Sequence, residues 1–310
     1  NFSRRNGRKG RDRLPVPRAC AMMGKTAALP ERRGTMELNA RNGPKMTEEQ
    51  IIAYLARIGI SSPVPLTLEG LGKLQMAHRL TVPFENLDIV AGRPLSLELP
   101  HLYDKIVRRR QGGVCAELNT LYNWLLYSLG FQVTSYNARM LLPDTYLFRR
   151  HRILAVRLAG GTYTTDVGFA TENARVPLLL AEGVVQRDGH CAYRYQQEEF
   201  YGWVQCQRRP GHDWERIQAF TLEPQIDRDF DPVLFFFEKS PASNMNQFPR
   251  PSLYTPEGML ALRRHVFQVE RQGLVVQATP TTPAEELRLI REVFHLDPAG
   301  IYEDAPAEGK

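Results

Sequence analysis

The sequence predicts an α+β fold laid out in three successive blocks. Apolar residues between Met46 and Gly130 recur at helical spacing. After Gly130 the period changes to two, and short strands follow at intervals that suit a barrel. The C-terminal part reads as strands followed by one more helix.

The elements follow in order. Thr47 with Glu48 and Glu49 behind it makes a helix start, because acids in a first turn face the positive end of the helix dipole. Ile51, Ile52, Leu55 and Ile58 continue it, and Gly59 stops it. A second helix is expected over Leu68–Leu80, carrying Leu71, Leu74, Met76 and His78, and a third over about Leu102–Arg110. A fourth begins near Cys115 and runs through Leu118, Leu121, Leu125 and Leu126 to Gly130. Phe131, Val133, Ser135, Asn137, Arg139 and Leu141 then read as one side of a strand. Two further strands, His151–Leu158 and Thr162–Phe169, flank Gly160-Gly161 as a hairpin turn. Tyr201–Arg209 and Trp214–Leu222 complete the middle block. Ser240–Pro251 is polar and proline-rich and reads as a crossing linker. Strands near Leu260–Glu270 and Leu274–Thr279 follow, and Pro283 opens a helix over Ala284–Phe294 with Leu287, Ile290 and Val293 at helical spacing.

Composition narrows the function classes. The chain has 310 residues, 43% hydrophobic and 24% charged, enough for one large core or a few small ones. Its apolar runs, such as Val233–Phe237, are far short of the roughly 18–20 residues of a membrane helix. The four cysteines (Cys20, Cys115, Cys191, Cys206) include no CxxC pair, so neither a disulfide scaffold nor a zinc site is expected. The net charge of +6 is unevenly placed. Residues 1–45 hold twelve Lys/Arg and three acids, a net of +9, and residues 46–310 hold 28 basic and 31 acidic side chains, a net of −3. The body is mildly acidic, so no nucleic-acid partner is expected for it.

Residues 1–45 read as a disordered basic leader. Pro15, Pro17, Pro30, Gly10, Gly24 and Gly34 disfavour both the amphipathic helix and the apolar stretch that a targeting peptide uses. The leader is expected to be a non-structural extension ahead of a folded unit opening at Met46. The expected organisation is then a helical domain over 46–130, a β domain over 131–239, and a linker with a C-terminal domain over 240–310.

The segment richest in chemistry is Arg110-Gln111-Gly112-Gly113-Val114-Cys115-Ala116-Glu117-Leu118-Asn119. Two glycines permit a tight turn, and the cysteine behind them starts a helix. Unpaired N–H groups and the dipole at that end favour thiolate over thiol, which is what a nucleophile needs. Cys191 and Cys206 lack this setting and read as inert, as does Cys20 in the leader. A nucleophilic cysteine also needs a base and a group to orient it. Counting outward from Gly160-Gly161 brings His151 and Asp166 near one another on adjacent strands. From spacing alone, His151 also reads as a surface histidine beside Arg149, Arg150 and Arg152, and Asp166 as an ordinary turn carboxylate.

Gly112-Gly113-Val114-Cys115-Ala116-Glu117-Leu118-Asn119 resembles the nucleophile motif of the arylamine N-acetyltransferases. Pro83-Phe84-Glu85-Asn86-Leu87-Asp88 is similar to that family's upstream signature. Thr165-Asp166-Val167-Gly168-Phe169 resembles its Asp-Val/Ala-Gly-Phe segment, and Tyr54–Gly59 its opening helix. The resemblance runs from about Met46 onward and is strongest between 80 and 170. It implies a helical bundle, a β-barrel and an α/β lid, with a cysteine-protease-like (transglutaminase-like) core. It implies a triad of Cys115, His151 and Asp166, acetyl-CoA as co-substrate with no metal, and ping-pong transfer to an aromatic amine or hydrazine. It also implies that Phe169 lines the acceptor pocket, with Val114 and Ala116 beside the nucleophile at substrate-binding positions. A cytoplasmic location fits an intracellular acetyl donor and a reduced thiol. This sequence departs from the family at Gln111, where an arginine that pairs with Glu85 is usual. It departs again at Val114 and Ala116, where larger groups are common. The competing readings are a papain-like or transglutaminase-like hydrolase and a binding protein that keeps the triad by descent. The Pro83–Asp88 signature disfavours the first, and the complete triad disfavours the second.

Overall fold

A computed structural model describes residues 44–61, 63–141, 148–271 and 273–302. Most of the expected leader, residues 1–43, lies outside the described residues. The folded body includes Pro44 and Lys45, which the sequence assigns to the leader. The Pro44 carbonyl accepts the Trp124 indole N–H at 2.8 Å, and the Lys45 ammonium lies over the Tyr127 ring.

The helical block holds α1 (Glu48–Arg57), α2 (Leu68–Thr81), α3 (Leu87–Val90), α4 (Leu99–Tyr103) and α5 (Cys115–Leu129). The α1 start is a capping box. Thr47 Oγ1 accepts from Gln50 N, and Gln50 Oε1 accepts from Thr47 N. In α2, Leu71, Leu74 and His78 are buried. The expected third helix begins earlier than its apolar spacing suggests. Pro100 sits in the first turn of α4, where a missing N–H costs nothing. The chain then widens into a π-turn over Asp104–Arg108, closed by Arg109 N on the Asp104 carbonyl. Helix α5 is buried at every residue from Cys115 to Leu126, so it is the central rod of the core. Gly130 ends it at φ +105°, a conformation that disfavours any side chain.

The middle block is an eight-stranded antiparallel sheet: β1 (Gln132–Met140), β2 (Arg149–Leu158), β3 (Gly161–Thr165), β4 (Leu178–Leu179), β5 (Gln186–Arg187), β6 (Ala192–Glu198), β7 (Gly202–Arg208) and β8 (Glu215–Phe220). The order is β4-β3-β2-β1-β8-β7-β6-β5. Just past β4, Glu182 bridges to Tyr195 of β6, so the sheet curls back on itself like a barrel. The hairpin turn is Ala159-Gly160 rather than Gly160-Gly161, because Leu158 pairs with Gly161. Strand β3 also stops at Thr165, which leaves Asp166 and Phe169 on the segment after it. Strand β1 is more than a one-sided strand. Val133 joins the helical core, while Tyr136 and Ala138 point into the barrel. From β2, Leu154 and Val156 face the helices and Ile153 and Ala155 the barrel. This hairpin is therefore the wall shared by both cores.

Helix α6 (Asp231–Lys239) follows the barrel. The sequence reading assigns no helix there, but Pro232 opens one, and Val233, Leu234 and Phe237 pack into the helical core. After the 240–251 linker come β9 (Ser252–Thr255), β10 (Gly258–Arg263), β11 (Val266–Arg271), β12 (Leu274–Ala278) and α7 (Pro283–Glu292). The expected strand Leu260–Glu270 is really a hairpin, in the sheet order β12-β11-β10-β9. Its turn residues, Arg264 and His265, adopt φ of +48° and +65°. Such a turn ordinarily recruits glycine or asparagine, so the sequence carries no signal for it. The α7 face carrying Ile290 packs with Phe294 and Leu262 against Leu87 of α3, docking this third block onto the first.

Candidate active site

Cys115 is the first residue of α5 and is 6% exposed, with Sγ 3.6 Å from the Arg150 carbonyl. Backbone packing fixes the loop that delivers it. A Cβ on Gly112 would land on the Pro83 carbonyl oxygen, so only glycine fits there. The Phe84–Asn86 segment runs beside this loop, with Glu85 N donating to the Gly113 carbonyl at 3.0 Å. On its other side Phe84 exchanges two backbone hydrogen bonds with Ser252 of β9. Asn86 reaches further. It donates to the Met245 and Phe248 carbonyls and accepts from Arg250 N, fastening the linker.

His151 lies on β2, and its Nε2 sits 2.6 Å from Asp166 Oδ2. The Cys115 side chain stands close enough to the imidazole to raise it. All three expected triad residues therefore meet, each about 95% buried. Burial by itself pushes the imidazole down, but the Asp166 carboxylate and Cys115 outweigh it and raise His151 to about 10. Burial pushes the Asp166 carboxyl up, and the imidazole with Asn119 and Arg79 brings it below its ordinary value. Burial pushes Cys191 up to about 11 and raises Cys206, so both are held as thiols.

Two residues complete the site without a role assigned from sequence. Asn119 stands one turn beyond Cys115 on α5. Its Nδ2 donates to Asp166 Oδ1 at 2.9 Å and to the Arg152 carbonyl at 2.8 Å, and its Oδ1 accepts from Val167 N at 3.1 Å. The i, i+4 spacing was the available signal. Gly168 packs flat on Cys115, where an added Cβ would stand 2.7 Å from Cys115 Cα. Gly168 N also donates to Asp166 Oδ1 at 2.9 Å.

Among the remaining expected residues, Phe169 lies edge-on to His151 with ring centroids 5.1 Å apart. Val114 and Ala116 have no exposed surface and pack in the helical core on either side of Cys115. Among the described residues no group of three or more His, Cys, Asp and Glu is arranged to hold a metal, and no helix is long and apolar enough to cross a membrane.

Residues 67–299 match the sequence model of a family described as N-acetyltransferase. The arylamine N-acetyltransferase 1 of Bos taurus is 33% identical over 235 residues, covering 68% of this chain and 80% of the relative. The chain belongs to the arylamine N-acetyltransferase family. The solved arylamine N-acetyltransferase of Salmonella typhimurium superposes with a TM-score of 0.76 at 29% identity, covering 85% of this chain and 96% of that one. The Mycobacterium marinum enzyme solved in complex with CoA superposes with a TM-score of 0.74 at 27% identity, covering 79% and 92%. Against this family the Gln111 departure has a visible consequence. Gln111 does not reach Glu85. Its Nε2 donates to the Arg109 carbonyl and its Oε1 accepts from Asp297 N in the C-terminal segment.

Proposed function

We propose that this chain transfers the acetyl group of acetyl-CoA to an aromatic amine or hydrazine through an acetyl-cysteine on Cys115. The observation that carries the reading is the buried Cys115, His151 and Asp166 contact at the N-terminus of α5, in a chain of this family. His151 takes the thiol proton, and Asp166 holds the ring so that Nδ1 is left for Cys115. The thiolate attacks the thioester carbonyl, forming the S–C bond while the C–S bond to CoA breaks. CoA leaves as thiol with the proton from His151. The amine then attacks the acetyl-cysteine, His151 accepts its proton, and Cys115 is regenerated. Unpaired N–H groups at the start of α5 are suited to the oxyanion in both halves. Phe169 forms an aromatic wall beside the imidazole, suited to stacking on an aryl ring. Val114 and Ala116 set the pocket's width from behind.

In this reading the chain works as a helical domain (46–130), a barrel (131–239) and a linker with lid (240–310) around a cysteine-protease-like core. Its partners are small molecules rather than nucleic acid or membrane, and its place is the cytoplasm, where acetyl-CoA and reduced thiols coexist. Intact mass after mixing with acetyl-CoA alone tests the mechanism. The parent should gain about 42 Da, one acetyl, and lose it when an arylamine or hydrazine is added; Cys115→Ala should gain nothing. An unmodified parent would overturn the reading. A hydrolase would consume acetyl-CoA without amine dependence.

A further inference from the structure

One buried charge cluster beside the nucleophile has no part in the proton transfers above. Lys105, in the π-turn, is 2% exposed, and its Nζ lies 2.7 Å from Asp88 Oδ2, 2.9 Å from Glu117 Oε1 and 3.6 Å from Glu85 Oε1. Three carboxylates from the Phe84–Asn86 segment, α3 and α5 thus converge on one ammonium. Glu117 is the link to the chemistry. It lies two residues after Cys115, and its Oε2 accepts the Val114 N–H at 3.0 Å, directly before the nucleophile. A Cβ on Gly113 would stand 2.9 Å from the same oxygen, so the glycine loop closes over this carboxylate.

The electrostatics follow from these positions. An uncompensated carboxylate in the first turn of α5 would oppose a thiolate at its first residue. Burial pushes the Glu117 carboxyl up to about 7, Lys105 opposes that rise, and the nearby Glu85 adds to it. The Lys105 ammonium is itself held charged, because the three carboxylates outweigh its burial. The charged groups around the cluster are Glu85, Asp88, Glu117 and Arg93, which pairs with Asp88 at 2.6 Å. Those around Cys115 are His151 with Asp166 behind it, Arg150 and Glu117. Gln111 adds no charge and faces the C-terminal segment.

We propose that Lys105 is a positioning residue for Cys115. From the π-turn it supplies the cation that the residue before Gly112-Gly113 does not, and pins Glu117 so that the glycine loop and the start of α5 favour a thiolate. The proposal rests on Cys115 being the nucleophile. The π-turn is the last turn of its helical run, and it places Lys105 among the three carboxylates.

The test is the pH dependence of Cys115 alkylation by iodoacetamide, read with melting temperature and the acetyl adduct. Lys105→Met should move the alkylation midpoint up by about one pH unit and slow acetylation at neutral pH about ten-fold or more. Lys105→Arg should stay near the parent. Lys105→Met with Glu117→Gln restores the cluster's net charge of the parent and should recover most of the midpoint. Glu117→Gln alone should move the midpoint down, and it carries the test if Lys105→Met does not fold. A purely structural role would lower melting temperature and leave every midpoint at the parent value, which would overturn the proposal. If instead the parent itself forms no acetyl adduct on Cys115, the nucleophile reading fails first, and the two failures are thereby told apart.

Discussion

Asn119 shows how a residue with no chemistry of its own sets the position of Asp166 beside His151 and Cys115. Its amide bridges Asp166 and the Arg152 carbonyl while its oxygen takes the Val167 N–H, so one side chain on α5 registers two strand-derived segments. The carboxylate it holds is buried, where each lost hydrogen bond costs about 1–3 kcal/mol. Asn119→Ala should therefore lower stability by about 1–3 kcal/mol and slow formation of the acetyl-cysteine about 10–100-fold, with Asp166 freed to rotate. Rapid-quench mass measurement alongside urea unfolding would check it, and an unchanged acetylation rate would remove the role. Spacing brought His151 and Asp166 near one another and marked Cys115 at a helix start, but it was the resemblance of the motifs to a family that joined the three. Asn119 was written there too, as part of the motif, but its role needed the facing strand.

At the scale of elements, the Phe84–Asn86 segment is a short rail between the glycine loop ahead of Cys115 and the C-terminal sheet. Its backbone bonds Gly113 on one side and Ser252 on the other, and Asn86 fastens the 240–251 linker through three hydrogen bonds. The signature thus joins two blocks that are about 160 residues apart in sequence (Asn86 to Phe248, |i−j| = 162). Asn86→Ala should cost about 1–3 kcal/mol and raise hydrogen exchange selectively over residues 240–262, leaving α5 protected. Uniform exchange across the chain would contradict that arrangement. The elements missed from sequence each lack a local signal. The turn at Arg264-His265 uses positive φ without glycine, and α6 follows its proline with too short an apolar run to show a period. The π-turn is invisible because its residues keep an apparent helical spacing while the hydrogen bonds lengthen by one residue.

For the whole molecule, the buried His151–Asp166 pair ties stability to pH. The folded imidazole titrates higher than the unfolded one, so its share of stability is complete below about pH 6.5 and is lost as pH rises through about 10. The Asp166 carboxyl titrates lower when folded, so its share is complete above about pH 4 and is lost as pH falls through that lowered value. These are two ends of one ion pair. The stability difference between the parent and Asp166→Asn should be greatest between those limits and narrow towards both. Urea midpoints of the two proteins from acid to alkaline pH would show it, and a flat difference would mean that the pair does not titrate as a unit.

By itself the sequence determined what is local: the helix starts, the period change at Gly130, the glycine loop ahead of Cys115, and the motifs that mark the family. Those features are encoded by neighbours within a few residues, where steric and capping preferences act directly. The tertiary structure decided which side of β1 and β2 serves each core, where Pro44 and Lys45 belong, and which cation balances Glu85 and Glu117. These outcomes depend on close packing and on charges brought together from distant segments. Their energies arise only once water has been excluded, and no local pattern records them.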